Sequence, residues 1–151
     1  MALIAIDPGK VTGFAVFEAG KLVGATACTE EQCLVLIENA AHISLRLSGD
    51  CIIEVPQVYP GQQQKGDQND LIKLAVMVGS YAQKAREQKF RVTTFKPREW
   101  KGQLPKDVCW RRVRETLTPG ELDNLEKLPK SRAHNMHDAI GLGTWFQKRW
   151  R

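Results

Sequence analysis

Residues 1–25, MALIAIDPGKVTGFAVFEAGKLVGA, decide how the rest of the chain is read. The apolar run Leu3-Ile4-Ala5-Ile6 stops on Asp7, and Pro8-Gly9 follow at once. A second run, Phe14-Ala15-Val16-Phe17, opens after Gly13, and an Ala-Gly-Lys turn leads into a third. Short apolar runs divided by turn residues predict strands over 2–7, 13–18 and 21–28, paired as an antiparallel meander. The first of them ends on a carboxylate, at a turn that another group can approach.

Working outward, Thr29-Glu30-Glu31 has the form of a helix start, with Thr29 as N-cap and acids in the first turn. Apolar spacing carries that helix to about residue 48, Gly49-Asp50 breaks it, and Cys51-Ile52-Ile53-Glu54-Val55 reads as a strand. Residues 56–69 are polar, with two glycines and three successive glutamines, the composition of a mobile binding loop. A long amphipathic helix is expected from Asp70, a strand over 91–96 and a turn over 97–100. Pro105 suits the first turn of a further helix, which Thr118-Pro119-Gly120 would end near Leu117. Residues 121–131 are charged and weakly periodic, and a last helix is expected over about 132–148. A meander followed by crossover connections predicts one α/β domain spanning 1–151, a mixed sheet with helices on its faces.

The composition is that of a globular protein, 42% hydrophobic and 26% charged over 151 residues. No run approaches the roughly 18 apolar residues of a membrane span, so no membrane partner is expected. No secretory leader pattern is visible at the N-terminus. Cys28, Cys33, Cys51 and Cys109 lack paired metal-ligand spacing and read as reduced, buried thiols of a cytoplasmic protein. The net charge of +5 is unevenly placed. Half of the 22 basic residues fall between Lys84 and Arg114, with Trp100 and Trp110 among them and only Glu87, Glu99 and Asp107 opposing. A solvated basic face is the plain reading, and a phosphate-binding surface, including Arg111 and Arg112, the sharper one.

In the expected sheet the first strand lies beside the strand of residues 51–55, so Asp7 and Glu54 face one another at one edge. Two adjacent carboxylates repel, and burial adds to the cost. A divalent cation between them removes the conflict, and Mg²⁺ or Mn²⁺ suits oxygen ligands. Asp138 is the third candidate, an acid amid Ala139, Ile140 and Leu142 on the last helix. Turn chemistry at Asp7 or a surface acid at Glu54 would each explain one residue; their joint placement favours a metal site.

AIDPGKVTGFAVFE, CIIEVPQVYPG and HNMHDAIGLG together resemble the RuvC-type Holliday junction resolvases of the RNase H-like superfamily. FKPREWKGQLPKD resembles the segment before their basic helix, especially in phage members, and the likeness runs in order along nearly the whole chain. The resemblance implies an RNase H-like five-stranded mixed sheet and a homodimer in a bacterial or phage-infected cell. It implies cleavage of four-way junction DNA by paired symmetric nicks, with Mg²⁺ or Mn²⁺, two ions per site, and no nucleotide cofactor. Asp7, Glu54 and Asp138 match its acids, Lys101 and Lys106 its basic segment beside the scissile phosphate, and Tyr59 its displaced junction aromatic.

Three residues before the last acid, where the family carries another acid or a histidine, this chain has Asn135, with His134 one residue earlier. Position favours Asn135 as the further metal ligand; chemistry favours His134, whose imidazole can ligate Mn²⁺ or take a proton. His137 points away from that face, and His134 with His137 lacks the further ligands of a zinc site. The long helix from Asp70 to about Gln88 is the candidate dimer interface, through its exposed face and Met77, and an ordinary core helix fits the same pattern. The rival readings are a non-catalytic branched-DNA-binding protein and an RNase H-like nuclease acting on another nucleic-acid structure. An actin-like nucleotide-binding fold needs two such domains and is disfavoured by length.

Overall fold

The meander read in the first 25 residues builds one half of the sheet, from an edge strand to the central one. A computed structural model describes residues 1–43, 49–60, 67–127 and 133–150. Its elements run β1 (Ala2–Asp7), β2 (Thr12–Glu18), β3 (Lys21–Cys28), α1 (Glu30–Ile43), β4 (Asp50–Glu54), α2 (Gln68–Glu87) and β5 (Arg91–Phe95). Four helices follow: α3 (Pro97–Trp100), α4 (Lys106–Glu115), α5 (Pro119–Glu126) and α6 (Ala133–Phe146). The sheet order is β3-β2-β1-β4-β5, with β1–β2 and β2–β3 antiparallel and β1–β4 and β4–β5 parallel. The expected mixed five-stranded sheet flanked by helices is the fold observed.

Successive strand residues point to opposite faces, and the two faces carry separate cores. Leu3, Ala5 and Ile52 pack under Val113, Met136, Ala139, Ile140 and Leu142 of α4 and α6. Ile4, Ile6, Cys51 and Ile53 pack under Cys33 and Ile37 of α1 and Val78, Tyr81 and Ala85 of α2. Tyr81 is fully buried and pairs its hydroxyl with Thr12 Oγ1 at 2.9 Å, which satisfies both groups. All four cysteines are free and buried, as expected of reduced thiols.

Local chemistry sets the helix ends. Thr29 caps α1 reciprocally with Gln32, its hydroxyl accepting from Gln32 N at 3.3 Å while Gln32 Oε1 accepts from Thr29 N at 3.0 Å. Asp67 caps α2, so this helix begins two residues before Asp70. Residues expected to extend α1 to about 48, and 61–66 of the expected binding loop, lie outside the described residues.

Two short helices correct the sequence reading. Pro97–Trp100 is helical rather than a turn, and Thr118-Pro119-Gly120 starts α5 rather than merely ending α4. Thr118 is the N-cap, Pro119 supplies the fixed φ of the first turn, and Glu121 closes the capping box onto Thr118 N at 2.7 Å. Glu121 also accepts from Leu22 N at 2.6 Å and Arg149 Nη1 at 2.8 Å, tying α5 to β3 and the C-terminal segment.

Candidate active site

Asp7 and Glu54 close β1 and β4, and the parallel register Ile6↔Ile53 puts them on the next rung of neighbouring strands. By alternation Asp7 shares a face with Leu3 and Ala5, and Glu54 shares one with Ile52. That is the face α6 covers, so Asp138 arrives from above. Gly13 makes the approach possible: it pairs with Asp7 across β1–β2, and a Cβ there would lie 2.1 Å from the Asn135 carbonyl oxygen. Any side chain at Gly13 would lift α6, and Asp138 with it, off the strand end.

The other wall comes from β5. Phe95 pairs with Glu54, Val55 N donates to Phe95 O at 2.9 Å, and the chain then turns at Lys96-Pro97 into α3. This turn folds Trp100 and Lys101 back over Glu54. Trp100 Nε1 donates to Glu54 Oε2 at 2.7 Å. Lys101 Nζ lies 3.3 Å from Glu54 Oε2 and 3.1 Å from Asp138 Oδ2, and all three side chains are mostly shielded from solvent. Lys106 Nζ, on the first turn of α4, reaches Asp138 Oδ2 at 3.8 Å from an exposed position.

The electrostatics are those of acids crowded at one edge. Burial pushes the Asp7 carboxyl well above its ordinary range, and the charges of Glu54 and Asp138 push it further, against Lys101 and Lys106. Burial also raises Glu54, opposed by Lys101 and the Trp100 hydrogen bond. Burial works against the Lys101 ammonium, but Glu54, Asp138 and Asp7 outweigh it and hold its pKa above the usual value. Among the described residues no three His, Cys, Asp or Glu side chains form a ready-made metal-ligating group. Here an ammonium meets the charge of Glu54 and Asp138. The donors suit a hard divalent cation, since they are carboxylate oxygens, and in Asp7 and Glu54 burial disfavours the ionised form that a cation would stabilise.

The remaining sequence candidates sit around this centre. His134 is exposed in the first turn of α6, Asn135 is half-buried, and among the described residues neither is hydrogen-bonded to the acids. His137 faces elsewhere, stacked on Trp110 with ring centroids 3.6 Å apart, and burial lowers its pKa to about 4. Tyr59 lies under Arg98, whose guanidinium carbon is 5.4 Å from the ring centre. Arg111 and Arg112 are exposed on α4. Sequence reasoning counted Trp100 among aromatics in a basic stretch and missed its bond to Glu54. A tryptophan just past a strand that neighbours an acid-ended strand is the signal that was there to read.

No protein-family model matches the chain, and no curated protein matches it. Solved structures do. The chain is similar to Thermus thermophilus RuvC in complex with a Holliday junction substrate, at 18% identity and TM-score 0.66, covering 96% of this chain and 91% of that one. It is similar to a second Thermus thermophilus RuvC structure at 17% identity and TM-score 0.62, covering 96% and 92%. The fold is that of RuvC.

Proposed function

We propose that this chain is a metal-dependent endonuclease that resolves four-way DNA junctions by paired nicks. The observation that carries the reading is the meeting of Asp7, Glu54 and Asp138 with Lys101 at one sheet edge, beside a lysine- and arginine-rich segment. A fold shared with a junction-bound RuvC supports it.

Asp7, Glu54 and Asp138 would hold Mg²⁺ or Mn²⁺, with His134, or in its place Asn135, completing the set. Two such ions, when bound, supply an activated water and offset charge at the leaving oxygen of a phosphodiester. The chain's own residues do the rest. Lys101 turns its ammonium from the acids to the scissile phosphate, and Lys106, already exposed beside Asp138, engages the same group. Arg111 and Arg112 bind neighbouring phosphates, which supplies affinity without sequence preference. Tyr59 stacks on a base at the junction centre, a contact worth roughly 1–3 kcal/mol. Two symmetric nicks need two sites related by a twofold axis, so the working unit is a homodimer.

The test is cleavage of a synthetic four-way junction against a linear duplex of the same sequence, with Mg²⁺ or Mn²⁺. Cutting confined to the junction supports the proposal. Tight junction binding without cutting would make the chain a branched-DNA-binding protein. Equal cutting of both substrates, or of RNA hybrids, would make it an RNase H-like nuclease of another specificity.

A further inference from the structure

A buried indole N–H has to find an acceptor, and a core tryptophan ordinarily finds a backbone carbonyl or a hydroxyl. Trp150 does so here, donating to Gly141 O and Thr144 Oγ1. Trp100, only 4% exposed, instead spends its donor on a carboxylate of the acid cluster, Glu54 Oε2, at 2.7 Å. Its ring is fixed from several sides. It meets Trp150 edge-on at 6.1 Å, and a Cβ on Gly141 would lie 2.9 Å from its Cζ3, so the missing side chain is what admits the indole. Lys101 Nζ stands 4.8 Å from the centre of the same ring. The anchor is therefore rigid, and the group it holds is not a packing partner but a candidate ligand.

The two donors share one atom. Trp100 Nε1 and Lys101 Nζ both reach Oε2 of Glu54, and among the described residues no protein donor reaches Oε1. The lysine is a flexible point charge that can leave; the indole is not. We propose that Trp100 is a positioning residue: its indole N–H holds Oε2 of Glu54 in place and so presents Oε1 as the oxygen for a divalent metal. This rests on the reading of Glu54 as a metal ligand. Outer partners of this kind orient a ligand and typically change metal affinity by about 10–100-fold when removed. Trp100 differs from the basic residues in touching neither DNA nor metal.

Two measurements without DNA decide it. The first is Mn²⁺ binding, followed by the spectroscopic signal of free Mn²⁺, for the wild type, Trp100→Phe and Glu54→Gln. Trp100→Phe keeps an aromatic ring and loses the N–H, and a fall in affinity of about tenfold or more is expected with the fold retained. The second follows the four indole N–H resonances by NMR. One of them should be protected from solvent exchange in the wild type and move upfield in Glu54→Gln, where the acceptor loses its charge. If Trp100→Phe binds Mn²⁺ as the wild type does while Glu54→Gln does not, the inference is wrong and the metal site stands. If Glu54→Gln binds Mn²⁺ normally, the metal reading of Glu54 itself falls. Should Trp100→Phe fail to fold, the resonance comparison decides alone, and four indole signals unmoved by Glu54→Gln would overturn the proposal.

Discussion

Asp7 is costly to the fold that carries it. Its carboxyl pKa is raised by burial and by two neighbouring acids, so without metal the folded state disfavours its ionised form. An acid whose pKa is raised on folding binds more protons folded than unfolded. The metal-free protein therefore loses stability as pH rises from the ordinary carboxylate range through that higher value. Asp7→Asn removes the charge, and the metal-free midpoint of thermal unfolding should rise by about 2–4 °C for each kcal/mol recovered. The same variant should lose cleavage and keep junction binding, since affinity comes from cations on phosphates. Cleavage retained in Mg²⁺, or an unchanged melting midpoint, would remove Asp7 from its role. His134→Ala is expected to lose most cleavage while Asn135→Ala loses less, both still binding junctions in a gel-shift assay; the reverse result transfers the role to Asn135. The acids were legible because two apolar runs end on or beside a carboxylate, and the expected pairing of those strands brings Asp7 and Glu54 together. The bond from Trp100 to Glu54 left only an indirect signal, a tryptophan just past a strand that neighbours an acid-ended one, because it joins residues on different elements and has no periodic trace.

At the scale of elements, what hides in the sequence is whatever a buried charge holds together. Residues 121–131 carry too many charges for an apolar stripe, and α5 forms there because its N-terminus is capped and its acid is paired. Glu121 is buried and accepts from Leu22 N, Thr118 and Arg149, and against the cost of burial these bonds lower its carboxyl pKa to about 2. A pKa lowered on folding gives stability that is fully present above the unfolded value near 4.5 and is lost as pH falls towards 2. Acid unfolding should therefore begin below about pH 4.5 and be shifted in Glu121→Gln, read by circular dichroism. Arg149→Ala leaves a buried carboxylate without its cation and should cost about 3–5 kcal/mol at neutral pH in denaturant unfolding. A loss below 1 kcal/mol, the range of an exposed ion pair, would show that Leu22 and Thr118 suffice.

For the whole molecule, a sequence shows amphipathic helices and leaves open which face meets solvent and which meets another chain. Met77, named from the sequence as a dimer contact, sits half-buried against the inner core, where its sulfur lies 3.8 Å from Thr12 Oγ1. The outward stripe of α2 is a different one: Ile72 at 63% exposure and Val76 at 65%, followed a turn later by Gly79. Two large aliphatic side chains that exposed gain nothing in a monomer. Gly79 costs about 1 kcal/mol relative to alanine in a helix interior, and, apart from its chain neighbours and the adjacent helix backbone, no atom of the described residues stands within 4 Å of where its Cβ would be. A second copy packed across this stripe would bury both aliphatics and use the glycine for close approach. The pair Ile72→Glu and Val76→Glu should therefore keep the fold by circular dichroism, remove the concentration dependence of the melting midpoint, and turn a dimer into a monomer in sedimentation at micromolar concentration. The consequence for cutting is specific. On a plasmid with an extruded cruciform, paired nicks across the junction linearise the circle, whereas independent single nicks relax it. The wild type should give linear product and the double variant mostly nicked circles, at similar junction affinity per site. Linear product from a protein that sediments as a monomer, alone and on DNA, would show that the twofold lies elsewhere or is not needed.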